Sequence, residues 1–165
     1  MSQRNMIKDG QVVENDYLLV TELADNAALP EGNIIVSTAL WSAHREALIS
    51  RATLGLWLRN DEDVSAIANE LDHFAVIAID FPVFMDGRGF SLGRLVRERY
   101  GFTGELRASG GIIRDQLCYL KRCGFNAFDL TEDVDLEKAI ASLNDFTEAY
   151  QTGVDQKSPL FRRRA

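Results

Sequence analysis

Short apolar runs alternate with amphipathic stretches along most of the chain. Five runs are rich in aliphatic or aromatic residues and short enough for strands: 34–36, 54–58, 74–79, 106–108 and 127–130. Between and after them, apolar residues recur at helical spacing, over residues 41–51, 64–71, 91–100, 112–123 and 135–150. The alternation predicts about five βα units.

These units predict an α/β fold with a mainly parallel sheet. The run at residues 74–79 has no polar interruption, which is typical of a parallel strand covered on both faces. Parallel strands need crossover connections, usually right-handed helices. We favour an open three-layer sheet over partial-barrel curvature, because a complete eight-unit barrel needs ~250 residues.

The two ends of the chain depart from this alternation. Residues Ile7–Val20 have β-forming residues on both sides of Glu14-Asn15-Asp16, which predicts a short N-terminal β-hairpin turning at that polar cluster. We assign residues 1–33 to the hairpin and its connection, and residues 151–165 to a loosely held basic tail. No linker composition divides the chain, so a single domain over residues 1–165 is expected.

Composition and net charge argue against two classes of binding partner, nucleic acid and anionic membranes. The chain has 165 residues, of which 46% are hydrophobic and 26% charged, with a net charge of −7. An acidic globular protein lacks the basic footprint that nucleic acid or an anionic membrane surface requires. The N-terminus has no apolar signal segment, so a cytoplasmic location is expected. The sequence does not indicate an oligomeric state.

No cofactor or metal is indicated by a motif. Cys118 and Cys123 are five residues apart, and on a helix they diverge too far for a disulfide. Two cysteines and two isolated histidines, His44 and His73, do not make a metal or cluster set. Flavin, nicotinamide and haem fingerprints are also missing from the sequence.

The turn after the strand at residues 74–79 is the first candidate site. Asp80 follows the strand, and Gly87 and Gly89 permit close backbone approach around Arg88, which can pair with an oxyanion. Alternatively, Asp86 bonds its own backbone and Arg88 pairs with a neighbouring acid. The candidate catalytic residues are Asp80 and Asp86; the candidate anion-binding residues are Gly87, Arg88, Gly89 and Ser91, and Ser91 also caps the predicted helix.

A second strand-to-helix turn follows residues 106–108. The amides of Gly110 and Gly111 can form an anion-binding nest, with Arg114 and Asp115 assisting. The alternative is a tight glycine turn followed by a solvated first helical turn. Two such turns at one sheet edge predict a shared ligand crevice.

Motifs around both turns resemble a known family. The segments 78–91, 104–107, 114–117 and 122–125 are similar to the bacterial family of unknown function numbered 934. Proteins of that family are described as probable oxidoreductases involved in sulfite reduction, within sulfur assimilation and cysteine biosynthesis. The resemblance implies a process and transfers no catalytic residues.

Two functional hypotheses follow. In the first, the chain is an accessory protein of assimilatory sulfite reduction, with sulfite reductase as its partner. In the second, it is a small α/β enzyme that acts on a metabolite bearing a phosphate or sulfur oxyanion, held by Arg88 and the glycine turns. The sequence leaves open whether the chain is an enzyme.

Overall fold

A computed structural model describes residues 4–24, 27–130 and 133–163. The predictions for residues 1–3 and 25–26 of the N-terminal region, and for 164–165 of the tail, lie outside these ranges. Eight strands are present in the described residues: β1 Asn5–Lys8, β2 Gln11–Glu14, β3 Leu18–Val20, β4 Ile34–Ser37, β5 Leu54–Arg59, β6 Val76–Phe81, β7 Glu105–Gly110 and β8 Ala127–Asp129. The helices there are α1 Thr38–Leu48, α2 Arg88–Glu98, α3 Leu117–Arg122, α4 Leu136–Ser142 and α5 Leu160–Arg163, with 3₁₀ segments at Val64–His73 and Arg114–Gln116.

All eight strands form one sheet in the order β2-β1-β8-β7-β6-β5-β4-β3. Neighbours from β3 to β8 run parallel. β1 pairs antiparallel with both β2 and β8. The predicted α/β class and N-terminal hairpin are therefore confirmed, but the sheet is mixed rather than mainly parallel because the hairpin is built into it.

The predicted open three-layer arrangement is wrong, because the sheet curls into a half-barrel. The order from β3 to β8 never reverses. Right-handed crossovers between sequential strands place their helices on one face, whereas a doubly wound sheet needs a reversal to cover both. Curvature follows from this one-sided covering, as in a complete βα barrel.

The two sheet faces differ in what they bury. The outer face, against the helices, holds the large hydrophobic core, including Leu56, Ile77 and Phe128. The concave face holds only a small apolar cluster among the described residues: Ile35, Val76 and Ala78, with Tyr17 and Trp57 packed against it. The rest of the concave face is free to carry polar side chains.

The hairpin turns at a different place from the one predicted. Its tight turn is Asp9-Gly10, where both residues have positive φ, 50° and 77°, as Asp-Gly turns favour. Asn15 instead begins the passage towards β3 and accepts a hydrogen bond from buried Arg107 at 2.9 Å. A polar cluster and a true hairpin turn look alike in sequence, and the Asp-Gly pair was the stronger signal.

The predicted helices have different limits in the structure: α1 covers Thr38–Leu48 rather than residues 41–51, and the helix predicted over 64–71 is the 3₁₀ segment Val64–His73. α2 begins at Arg88, not at Ser91, and Asp86 rather than Ser91 accepts a hydrogen bond from its first amide. The helix predicted over residues 112–123 is divided into a 3₁₀ turn and α3. The helix predicted over 135–150 ends at Ser142. Leu143 still packs in the core, but the helical spacing after it leaves Phe146 74% exposed and reflects no core packing there.

Helix α2 approaches the sheet closely through two glycines. A methyl group at Gly89 would lie 2.6 and 2.7 Å from ring atoms of Phe81, and one at Gly93 would overlap the ring of Phe125. Phe81 is buried and packs edge-on against Phe90 and Phe125, so its ring has little room to move. The close backbone approach predicted at Gly89 is thus present, and it brings helix α2 against the hydrophobic core.

We expect Gly89→Ala to destabilise the fold by roughly 1–3 kcal/mol, the usual cost of overpacking a core. Gly87→Ala is the matched control, because its new methyl would meet only Phe90, at 3.8 Å, and its φ of −82° suits alanine. Urea unfolding of both variants measures the difference. Equal stability of the two variants would contradict the packing role of Gly89.

Candidate functional site

Four polar residues form a row where strands β5 to β8 end. Arg59 is in register with Asp80, Asp80 with Ser109, and Ser109 with Asp129. All four alternate with core residues of their strands and so lie on the concave face. Burial raises the pKa of both Asp80 and Asp129, and for Asp129 the charges of Arg4 and Arg107 partly offset this. The carboxyl ends of parallel strands are where ligands commonly bind.

A cavity of about 280 Å³ opens at this edge, between the loop after β5 and the turn after β6. Its walls combine one indole ring and one proline with charged and amide groups: Trp57, Arg59, Asn60, Asp61, Asp80, Pro82 and Arg88. We call it the strand-end cavity. Two of the predicted site residues, Asp80 and Arg88, meet there.

Asp80 is a half-buried carboxyl in this cavity. Its carboxyl makes no hydrogen bond or ion pair with the part of the chain that the structure describes, and burial alone raises its pKa. A carboxyl with a raised pKa and no protein partner, in a cleft, is suited to proton transfer or to binding a ligand.

Arg88 is held by acids of its own chain. Its Nε donates to Asp86 at 2.9 Å and its Nη2 at 2.6 Å, and its Nη1 lies 3.7 Å from Asp61. The Arg88 guanidinium, followed by the Asn60 amide, holds the pKa of Asp86 well below its usual range. The alternative pairing with a neighbouring acid is therefore present, and a ligand anion would have to share the guanidinium with two carboxylates.

The other predicted residues of the first turn lie around α2. Gly87 precedes the first helical residue, while Gly89 is buried against Phe81. Ser91 lies within α2 and is exposed. The structure thus brings Asp86 and Arg88 together and places Gly89 and Ser91 on the body of the helix.

The second turn packs against the first. Gly110 has a φ of +92°, and a side chain there would meet Phe81 O and Asp80 Oδ1 at 2.6 and 2.7 Å. The Gly111 amide donates to Phe81 O at 2.5 Å, and the Ile113 amide donates to Gln116 Oε1 at 3.1 Å. One of the two amides of the predicted nest, that of Gly111, is therefore used within the protein, and so is the nearby amide of Ile113.

Arg114 and Asp115 are exposed and lie 3.5 Å apart. Asp115 lines a separate cavity of about 510 Å³ between α3 and the segment 143–163. Neither residue is among those lining the strand-end cavity.

Residues from the end of β5 were missed by the sequence analysis. Trp57, Arg59, Asn60 and Asp61 line the strand-end cavity, and none of them was predicted as a site residue. Their position in the sequence could have indicated them, because Asn60 and Asp61 follow a predicted strand just as Asp80 does. Without the strand order, nothing in the sequence places these two strand ends side by side.

An apolar loop projects beside the cavity. Val83, Phe84 and Met85 are consecutive and 58%, 54% and 89% exposed. Ile113, 40% exposed, belongs to the second turn, where Gln116 Nε2 donates to the carbonyl of Phe84 at 3.4 Å. We call residues 83–85 the apolar tip.

The comparisons with known proteins give one match. The model of a family described as bacterial protein of unknown function (DUF934) matches residues 55–161, which include both turns. No curated protein and no solved structure matches the chain significantly. In residues 4–24, 27–130 and 133–163, no helix has the length and apolarity to cross a bilayer, and no three His, Cys, Asp or Glu side chains are grouped to hold a metal ion.

We expect Asp80→Asn to raise the thermal stability of the protein at neutral pH. The folded-state pKa of Asp80 is above its unfolded value, about 3.9, so the wild-type chain loses stability as pH rises through this interval. Asparagine does not ionise and avoids this loss. Melting temperatures should differ at about pH 7 and converge below about pH 4.

Asp72→Asn, at an exposed position of the 3₁₀ segment, is the control and should leave this pH dependence unchanged. A difference between Asp80→Asn and wild type that stays constant with pH would show that ionisation of Asp80 carries no stability cost.

Proposed function

Since this chain belongs to the bacterial DUF934 family, whose function is unknown, we propose that it is an accessory protein of assimilatory sulfite reduction. It acts by docking on sulfite reductase in the cytoplasm. The process comes from the family resemblance of the two turns. The docking mode is supported by a structural observation, the exposed apolar tip.

The apolar tip has the properties of a protein contact. Scattered single apolar residues on a surface are ordinary, but three consecutive exposed ones on a projecting loop, with an aromatic and a methionine among them, resemble interface anchors. The loop is held in place from three directions: Gly111 donates to Phe81 O, Gln116 to Phe84 O, and Asp86 N to Val83 O at 3.1 Å. A held loop loses less entropy on binding than a free one.

The net charge of the chain favours a partner with a basic contact surface. The chain has a net charge of −7, and complementary charge mainly speeds association and orients the partner. Apolar anchors in an acidic protein therefore favour a partner whose contact surface is apolar at its centre and positively charged around it.

A second candidate function is catalysis on an anionic metabolite, and the strand-end cavity favours it. Asp80 supplies a carboxyl with a raised pKa for acid–base work. Arg88 supplies a guanidinium at the cavity wall, although Asp86 and Asp61 compensate its charge. Docking would use the apolar tip and catalysis would use Asp80 and Arg88, so substitutions at one set of residues test one function without removing the other.

The docking proposal predicts that sulfite reductase is captured from sulfate-grown bacteria by the tagged protein. Replacing both Phe84 and Met85 with serine removes the two apolar anchors and should reduce capture roughly tenfold or more, as expected for hot-spot residues. Quantitative mass spectrometry of the captured proteins measures the change.

Ile49→Ser is the matched control, because Ile49 is 40% exposed and follows the C-terminus of α1. Ile49 precedes β5, whereas the apolar tip follows β6, so the two lie at opposite ends of the parallel strands. The substitution should leave capture unchanged. Absence of every sulfite-reductase component from the wild-type capture, or equal capture by the Phe84/Met85 variant, would contradict docking through the apolar tip.

A further inference from the structure

Two groups in the strand-end cavity have no partner in the described protein. Asn60 is 7% exposed, and its buried Nδ2 makes no hydrogen bond with any described residue. Its amide lies near enough to Asp86 to lower the pKa of that carboxyl, but the contact does not meet the distance and angle of a hydrogen bond, and the amide has a second N–H in any case. Leaving a buried donor unpaired is costly.

The second group is Asp80, whose carboxyl has no hydrogen-bond or ion-pair partner in the described ranges. Its neighbour in register, Arg59, is turned instead to Asp61, with Nη2 2.9 Å from Oδ2. Arg88 is likewise engaged by Asp86. Asn60 therefore requires a hydrogen-bond acceptor. Asp80, a half-buried carboxyl without a counter-charge, is best satisfied by a cation.

The formal charges of the residues that line the cavity also favour a ligand with both a cationic and an anionic group. Arg59 and Arg88 are opposed by Asp61 and Asp80 among the lining residues, so a simple anion gains little net attraction. A ligand with both charges can direct its cation to the carboxylates and its anion to the amide and the guanidiniums. Each wall group then meets a complementary group.

We propose that the strand-end cavity binds a small zwitterion that carries an ammonium group and a carboxylate or other oxyanion, as a free amino acid does. The ammonium pairs with Asp80, and the oxyanion accepts from Asn60 Nδ2 and the outer edge of Arg88. This assignment rests on the cavity of the second candidate function, replaces its simple anion by a zwitterion, and is independent of docking through the apolar tip.

The size and apolar walls of the cavity agree with this ligand class. A volume of about 280 Å³ is near the lower end of the range for small-molecule sites. Trp57 and Pro82 add an apolar wall, against which an aliphatic side chain can pack. An amino acid with a small or medium apolar side chain fits all these features.

Thermal-shift titration and calorimetry test the assignment with three classes of probe. Each common amino acid is added singly at about 10 mM, a concentration at which binding with a Kd near 1 mM stabilises the fold measurably. The most effective one is then compared with its decarboxylated amine and its deaminated acid. We expect the zwitterion to bind at least about tenfold more tightly than either fragment.

Two variants locate the binding. Asp80→Asn should weaken binding of the amino acid about tenfold and leave binding of the deaminated acid unchanged, while Asn60→Ala should weaken both. Asn69→Ala and Asp72→Asn change exposed residues of the 3₁₀ segment and should change neither. We expect Asp80→Asn to keep the fold, so the assignment stays testable even where Asn60→Ala does not fold.

Failure of every amino acid to bind overturns the assignment. Equal binding of the deaminated acid, or of inorganic phosphate or sulfite, also overturns it, but returns the cavity to the simple-anion hypothesis. Neither result alters capture of sulfite reductase by the apolar tip, so failure here and failure of the docking proposal are distinguishable.

Discussion

The curvature of the sheet and the position of its polar strand ends both follow from the unbroken order of strands from β3 to β8. With no reversal in the order, right-handed crossovers keep the helices on one face, and the sheet curls around its uncovered face. The outer face then provides the large core. The concave face carries few apolar groups, so polar residues can line up along it.

The same strand order determines what the strand ends can do. Arg59, Asp80, Ser109 and Asp129 come into register only because β5, β6, β7 and β8 are successive neighbours. The turns after β6 and β7 then touch, and their contact holds the apolar tip beside the cavity. The apolar tip, which we propose as a partner surface, and the strand-end cavity thus lie at one edge of the half-barrel and are made by adjacent residues.

The sequence predicted the elements better than their arrangement. Apolar runs identified β4 to β8 because each contributes alternate or continuous core residues, and Asp80 was correctly placed at a strand end. Curvature was missed because it depends on strand order, which periodicity does not encode. Asn60 was missed for the same reason, since only the pairing of β5 with β6 brings it to Asp80. The partner of Arg88 was anticipated as an alternative, because Asp86 is only two residues away.

Growth of a strain that lacks this protein is the decisive test of whether the strand-end edge serves sulfite reduction. We expect this strain to grow on sulfide but not on sulfate or sulfite, and to be rescued by the wild-type chain and by Ile49→Ser but not by the variant with serine at residues 84 and 85. Normal growth on sulfite, or full rescue by that variant, would contradict it.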